Sequence, residues 1–436
     1  MKDFLIVGAG LYGAVMAREL TRKGYSCIVI DKRSAPGGNI RTTMRRGIMV
    51  HEYGAHIFHT SDEEVWNYVT DFIPMVPFVH SPVACYKGDF YSLPFNMHTF
   101  KALFGCSEPE EARTCIEREA LAEKLRILEE RKKMKEAALG REKTQSDIET
   151  DAGREKANDD CDAASGREKT QSGSETNAGR KFVPANLEEQ ALVSVGRTVY
   201  ETLIKGYTAK QWGCDPRLLS ADIIKRIPIR YTYDEDYFTD KYEGLPDTGE
   251  GGYSGLIDKL LDGIEFRPET DYMLLRDGVD PEMWYKSPGL GLAKRVIYTG
   301  AVDEFFCECY GTLAYRSLRF EQEELKDDDY QGHAVVNYTD SETPFTRIIE
   351  HKYLTACYKS QGEPFTVITR EYPKVFENGD ERYYPVRDNL SMERYNKYME
   401  LADKCPQIAF GGRLGSYRYL DMDKVVKEAL KDSRAY

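Results

Sequence analysis

Six residues near the start of the chain, Gly8-Ala9-Gly10-Leu11-Tyr12-Gly13, have the spacing that lets a backbone turn cradle a diphosphate. In such a turn the first glycine permits the tight bend and the second lets the backbone approach the phosphates. The third lets the following helix sit close to a sheet. The flanking residues supply that setting: an apolar run ends at Val7, a helical pattern covers Ala14 to Lys23, and a second apolar run, Cys27 to Ile30, ends on Asp31. Helix N-terminal amides would face the anion, and Asp31 would accept ribose hydroxyls. A glycine triplet alone is weak evidence, but strand, turn, helix, strand and acid together read as a dinucleotide-binding βαβ opening. Lys32-Arg33 then leads to Gly37-Gly38-Asn39, a second place where backbone can approach a ligand closely. NAD dehydrogenases have no general need for it, whereas flavoproteins often carry such a pair near the FAD diphosphate and ribityl chain. The cofactor expectation is therefore FAD, held by Gly8, Gly10, Gly13, Asp31, Lys32, Gly38 and Asn39.

The elements around these residues must position them and build a second site. A length of 436 residues allows two or three domains, and a net charge of −13 argues against a general nucleic-acid or anionic-membrane binder. No apolar run is long enough for a membrane span, and the chain enters a strand at once without a signal peptide, so a cytoplasmic protein is expected. The ten cysteines are scattered without metal spacing, which reads as free thiols. Tyr53 to Thr60 reads as a glycine-supported loop with His56 and His59 on one face of a turn. With no third ligand nearby they are expected beside the flavin, and no metal is expected.

Pro109 to Leu139 reads as one long helix with a narrow stripe of Ile116, Leu121, Leu125 and Leu128, suited to an outer position. A thirteen-residue repeat follows across 140–178, rich in charge and almost without apolar side chains. It cannot bury enough area to offset its ordering entropy, so a mobile, solvent-exposed insertion is expected. Order resumes at Asn186, a helix cap with Glu189 three residues on. Lys205 to Gly213 reads as an aromatic, basic loop, Ile223 to Tyr233 as extended chain, and Asp240 to Gly252 as a glycine-rich stretch free to move. Further strands are expected at 295–300, 316–320, 334–338, 346–351, 366–370 and 408–413, the middle ones forming an antiparallel sheet. The closing helix, Asp421 to Leu430, points its N-terminus toward the flavin.

Several of these segments resemble one family. Gly37-Gly38-Asn39, the Tyr53–Thr60 loop, Asn186 to Ala191, Lys205 to Gly213, Ile223 to Arg230, Thr346 to Lys352, Tyr383-Tyr384-Pro385-Val386 and Gly411-Gly412-Arg413 match, in register, motifs of the UDP-galactopyranose mutases. The likeness covers nearly the whole chain outside about 130–182. It implies an α/β fold: a Rossmann-like FAD domain assembled from 1–76, 205–222, 249–315 and 385–436. A helical domain, 97–204, and an antiparallel sheet domain, 77–96, 223–248 and 316–384, complete it. It implies interconversion of UDP-galactopyranose and UDP-galactofuranose, with reduced flavin N5 as nucleophile toward the anomeric carbon and no net redox change. NAD(P)H or another reductant would supply electrons without a second nucleotide domain, and relatives of this kind are commonly homodimers.

Carried over residue by residue, the resemblance implies catalytic roles for Arg226, Arg347, His59 and Tyr384. Substrate contacts would come from Tyr207, Thr208, Trp212, Tyr237, Asn337, Tyr419 and His80, with both arginines on the diphosphate. His56, Gly412, Arg413, Asp421 and Met422 would join the flavin site. Three positions depart from the family pattern: Ala55 stands where a proline is frequent, His80 at an active-site asparagine, and Leu203 at an aromatic near the uracil. Two rivals share the nucleotide fingerprint, an FAD amine-oxidase-like oxidoreductase and a non-catalytic UDP-sugar-binding flavoprotein. Interleaved tyrosine and arginine can also bind single-stranded nucleic acid, but the net charge of −13 opposes it. Because 140–178 lacks apolar anchors, deleting it should leave folding, flavin content and turnover nearly intact. Loss of the yellow chromophore or of the thermal transition would count against this.

Overall fold

The computed structural model describes residues 1–152, 182–224, 229–278, 286–359 and 362–436, with side chains between 139 and 152 and that of residue 222 excepted. Its centre is a five-stranded parallel sheet in the order Glu265–Arg267, Cys27–Ile30, Lys2–Val7, Ala293–Tyr298 and Ile408–Phe410. Cys27 to Ile30 are all buried, as a parallel strand covered on both faces requires. On one face the helix Leu11–Arg22 packs between the helices Gly252–Leu261 and Met422–Ser433. Phe305, Tyr298, Tyr398 and Tyr417 fill the other.

The turn between the first strand and first helix leaves no room for side chains. A Cβ on Gly13 would lie 2.0 Å from the Gly8 carbonyl oxygen, and one on Gly38 would lie 2.9 Å from Gly10 Cα. Gly8 has a φ of +104°, a backbone region that only glycine enters freely. Asp31 braces this turn, one carboxylate oxygen accepting from the Ala9 amide at 2.7 Å and the other from the Arg33 amide at 2.8 Å.

A seven-stranded sheet lies beside the nucleotide sheet, in the order Tyr384–Pro385, Tyr315–Leu325, Thr366–Val375, Arg347–Glu350, Val335–Tyr338, Val83–Tyr86 and Asp89–Ser92. It is antiparallel except where Val335–Tyr338 runs parallel to Val83–Tyr86. A third sheet joins Phe58–Thr60, Tyr242–Pro246 and Met75–Pro77.

Several sequence expectations need correction. Lys205 to Trp212 is a helix, closed by Gly213 at φ +66°, and not a loop. The basic and aromatic residues that resembled a loop are therefore set by helical spacing. His59 stands in a strand, and Tyr242–Pro246 is its partner strand instead of a free glycine-rich stretch. Backbone pairing across 180 residues overrides the local turn signal. Ala221–Ile224 is a short 3-10 turn and not extended chain.

In the helical region, Pro109–Ala152 packs on Leu187–Val199. Asn186 caps the second helix as expected, accepting from the Glu189 amide at 3.0 Å. The buried face of the long helix carries Ala112, Ile116, Glu123 and Ile127, whereas Leu121, Leu125 and Leu128 are exposed. The leucines lose this face because Glu123 is held there by Arg197, at 2.7 and 2.8 Å, and by Arg126 at 2.8 Å. The helix also continues through Ala152, into the tract expected to be mobile. Glu, Lys, Arg, Gln and Ala are sound helix formers, and adding turns to an anchored helix avoids the nucleation penalty. The rest of the repeat lies outside the described residues. Among the described residues no helix is long and apolar enough to cross a membrane.

The glycine turn generates a direct test. Gly13→Ala places a methyl group against backbone that cannot retreat, and overpacking of this kind costs about 1–3 kcal/mol or more. The variant should show a lower Tm and lose bound nucleotide during purification; an unchanged Tm with full cofactor content would contradict the packing argument.

Candidate active site

Two adjoining cavities meet between the parallel sheet and the seven-stranded sheet. The smaller, about 260 Å³, is lined by Gly8, Gly10, Gly13, Asp31, Lys32, Gly38 and Gly412. The larger, about 680 Å³, is lined by Tyr207, Thr208, Trp212, Tyr237, Asn337, Arg347, Tyr384 and Tyr419, among others. Asn39, His56, Arg413 and Met422 line both. The first cavity suits a dinucleotide because backbone forms its wall: a Cβ on Gly10 would meet only Gly38 Cα, at 3.9 Å, so the peptide edge is open to a ligand. Asp31 sits in that wall with both oxygens already bonded to amides, so it braces the cradle and can accept further bonds only through remaining lone pairs. Lys32 turns to Glu381, at 3.4 Å.

The larger cavity is built around a half-buried cation, its side chain 26% exposed. Arg347, on the strand Arg347–Glu350, donates from Nη2 to the Tyr207 hydroxyl at 2.6 Å. Its Nε lies 3.4 Å from Glu371 Oε1, a carboxylate almost wholly buried on the neighbouring strand. Burial disfavours the guanidinium charge, but Glu371 and Tyr207 more than offset this and push Arg347 above its ordinary value. Tyr207 and Trp212 come from the helix Lys205–Trp212, which also presents the buried Thr208. Tyr384 and Tyr419 face each other at 5.7 Å, and the Arg413 guanidinium lies 5.1 Å from the Tyr419 ring. Burial raises the Tyr384 phenol, while Tyr419, 59% exposed, forms the rim. Asp421 stands at the N-terminus of the helix Met422–Ser433, its carboxylate making no cap bond and lining the cavity. Asn337 Nδ2 reaches the Val83 carbonyl at 3.5 Å.

The histidines differ in state. His56 Nδ1 lies 2.8 Å from the Gly54 carbonyl, which can only accept, so that nitrogen carries the proton. Burial pushes His56 down to about 4. His80 is buried with Nδ1 lacking any hydrogen-bond partner among the described residues. Burial, then the nearby Arg347 charge, pushes it down to about 3. His59 Nδ1 lies 2.7 Å from Asp240, and its ring stacks on Phe238 at 3.7 Å. Tyr237 donates its amide to the His80 carbonyl at 2.8 Å.

Every site residue expected from the sequence lines one of the two cavities except Arg226, which lies outside the described residues. Sequence reasoning missed Glu371, Glu243, Asp240 and Phe238. The strand expected at 366–370 stops one residue short of Glu371, and only the pairing Arg347↔Glu371 reveals the contact. Glu243 accepts from the His80 amide at 2.8 Å, and burial pushes its carboxyl up to about 7, with Asp236 adding to the effect. Among the described residues no group of three His, Cys, Asp or Glu side chains is placed to hold a metal ion.

These shifts fix the sign of the pH dependence of stability. His56, His80 and His351 are held neutral at about 4, about 3 and about 3, mainly by burial. The unfolded chain, with histidines near 6.5, therefore binds more protons in the window between, and stability falls as pH drops through it. Glu243 works oppositely, its contribution being full below its ordinary value of 4.5 and lost as pH rises through about 7. Three histidines outweigh one carboxyl, so Tm should fall steadily as pH is lowered from about 6.5 to about 4. His351→Gln should flatten that slope in calorimetry, and a Tm that rose on acidification would contradict the assignment.

Comparison with known proteins bears on the identity of this site. A family described as UDP-galactopyranose mutase matches residues 202–419, and one described as an NAD(P)-binding Rossmann-like domain matches 6–72. The chain is 36% identical over 434 residues to a probable UDP-galactopyranose mutase of Klebsiella pneumoniae, covering 99% of this chain and 93% of that protein. It is 34% identical to a dTDP-fucopyranose mutase of Escherichia coli, covering 100% and 98%. The crystal structure of a reduced UDP-galactopyranose mutase superposes with a TM-score of 0.61 at 15% identity, covering 99% of this chain and 93% of that one. A putative protoporphyrinogen oxidase from Exiguobacterium superposes at 0.54 and 12% identity, covering 100% and 98%. The structural likenesses establish the fold alone, since a mutase and an oxidase share it. The sequence identities reach further, because they run the length of both chains: this protein is an isomerase and belongs to the UDP-galactopyranose mutase family.

Proposed function

We propose that the protein interconverts UDP-galactopyranose and UDP-galactofuranose with FAD in its reduced state, supplying galactofuranose for surface glycans. The observation that carries this reading is Arg347, a half-buried arginine tied to Tyr207 in a cavity that opens onto a glycine-walled nucleotide cradle. Gly8, Gly10, Gly13, Gly38, Asn39, Gly412 and Arg413 would hold FAD. When bound and reduced, it supplies an electron-rich ring nitrogen able to attack an anomeric carbon.

The chain's own residues supply the rest. Departure of a nucleoside diphosphate spreads negative charge over phosphate oxygens, and a preorganised guanidinium stabilises that charge strongly. Arg347 needs no rearrangement to do so, because Tyr207 and Glu371 already orient it. Arg226, outside the described residues, is proposed as a second cation for the diphosphate. Tyr207 and Trp212 offer flat faces to the base, and Tyr384, Tyr419 and Tyr237 offer hydroxyls to the diphosphate. The protein is proposed to act in the cytoplasm as a homodimer, with NAD(P)H or another reductant as electron source.

A second substrate is favoured by one observation, the 34% identity with a dTDP-fucopyranose mutase. The two nucleotide sugars differ at the sugar C6 hydroxyl, at the base methyl group and at the ribose 2′-hydroxyl. Incubating reduced protein with UDP-galactofuranose or dTDP-fucofuranose, beside oxidised controls, and separating the products by chromatography decides between them. The expected result is UDP-galactopyranose from the reduced sample alone. Preferential turnover of the dTDP sugar would reassign the substrate. Stoichiometric flavin reduction would favour an oxidoreductase, and binding without conversion a non-catalytic flavoprotein. With the substrate so defined, Arg347→Ala should lower turnover at least about 100-fold, since one such contact is worth roughly 3 kcal/mol at a reacting site. Unchanged turnover at saturating substrate would remove Arg347 from the machinery.

A further inference from the structure

His59 lies on the strand Phe58–Thr60 opposite Glu243, and its side chain lines the larger cavity. Two groups fix its ring. Phe238 stacks on the face at 3.7 Å and 15°, and Asp240 Oδ2 meets Nδ1 at 2.7 Å. The other Asp240 oxygen accepts from the Ser61 hydroxyl at 2.8 Å. A carboxylate oxygen and a bare ring nitrogen repel at this distance, so a proton must lie between them, and Nδ1 is its donor. In the neutral ring this leaves Nε2 as a lone pair, and among the described residues nothing hydrogen-bonds it. Burial works to raise the Asp240 carboxyl, but the bonds from His59 and Ser61 more than offset it and hold the carboxyl below its ordinary value. The acid thus remains a carboxylate facing the ring.

We propose that Asp240 is a positioning residue that fixes His59 as the Nδ1–H tautomer, making Nε2 the site where a proton is given and regained during pyranose–furanose exchange. This rests on the functional reading above. Opening the pyranose breaks the bond from C1 to the ring oxygen; the electron pair leaves with that oxygen, which takes a proton. Closing the furanose forms the C1–O4 bond from the C4 hydroxyl, which releases a proton. The imidazolium gives its Nε2 proton to the first oxygen and the resulting imidazole takes one from the second. No proton is consumed over the exchange, and no further reactant is required. Asp240 keeps Nδ1 protonated throughout and balances the imidazolium charge, the part a buried carboxylate plays beside other catalytic imidazoles. The pair is also faced by His80, by Glu243 with Asp236, and by Lys424, which is paired to Asp423 at 2.8 Å on the closing helix.

The test combines NMR with kinetics on the flavin-loaded protein. Ring nitrogen shifts of ¹⁵N-histidine-labelled oxidised wild type should show His59 protonated at Nδ1, and Asp240→Asn should lose that single tautomer. The same variant should lower kcat on the order of 100-fold, the low end of what a proton-transfer group supplies, with KM little changed and the kcat profile displaced toward acid pH. The double variant Asp240→Asn with His59→Asn should be no slower than His59→Asn alone, since residues acting as one unit are not additive. An Nε2–H tautomer in wild type overturns the proposal, and that arm stands even where a variant loses stability. An unmoved pH profile, or fully additive variants, makes Asp240 structural only and also overturns it. Failure of wild type to interconvert either nucleotide sugar instead sinks the functional reading, whatever the tautomer.

Discussion

The structure depends on backbone packed against backbone at one corner. Gly13 presses on the Gly8 carbonyl and Gly38 on Gly10, with separations that exclude even a methyl group. This contact decides where the first helix meets the sheet and turns its free amides toward the smaller cavity. It also fixes where Arg413 and Met422 arrive, since the strand Ile408–Phe410 joins the same sheet through Ala293–Tyr298. Asp31 serves the same corner by gathering the Ala9 and Arg33 amides. The nucleotide cradle is thus mostly peptide edge, which explains how a chain of net charge −13 can present an anion site. Local amide dipoles and single arginines outweigh a distant net field screened by solvent.

The larger cavity applies a different rule, in which charged groups of the wall stand beside partners. Arg347 has Glu371 and Tyr207, and His59 has Asp240. Groups without a charged partner sit in neutral form: burial holds His56 and His80 low and raises Glu243 to about 7. Arg347 keeps unpaired N–H donors for an anion, because only Tyr207 takes a hydrogen bond from it, and its Nε stands near Glu371 Oε1 without bonding it. The orphaned Nδ1 of His80 departs from this rule, as do Arg347 Nε, Glu371 Oε1 and Gln211 Oε1, which also lack hydrogen-bond partners among the described residues. A buried nitrogen without a partner is costly in an empty cavity, and a polar substrate group would relieve it.

The sequence carried the nucleotide half well and the second half unevenly. Glycine spacing and short apolar runs are local signals, so the strand, turn and helix at residues 2–31 were legible. The tyrosines, arginines and histidines of the larger cavity were legible through motif resemblance, yet their supports were not. Lys205 to Trp212 looked like a loop because its glycine and aromatic content masks a helix capped by Gly213. Glu371 and Asp240 were invisible because each owes its role to a strand register or a contact spanning 24 and 181 residues. The long outer helix failed for a related reason: leucines mark an apolar stripe, but a carboxylate held by two arginines occupied the packed face.

These two halves explain why overall shape cannot separate the chemistries that share it. A mutase and a putative oxidase both superpose on this chain, at TM-scores of 0.61 and 0.54, so the glycine corner and the two-sheet frame do not by themselves choose a reaction. An oxidase must place a substrate C–H or N–H bond by the flavin and remove electrons, which requires no anion clamp. A mutase must hold a departing nucleoside diphosphate close enough to return. On the proposed reading the distinguishing chemistry falls on the wall opposite the nucleotide cradle, where the strands carrying Asn337, Arg347 and Glu371 and the helix carrying Tyr207 meet. A half-buried arginine braced by Tyr207 and Glu371 is a poor element of a general hydrophobic oxidase pocket, since desolvation opposes its charge. It would be well matched to the leaving group of the proposed reaction, whose charge grows as the bond breaks.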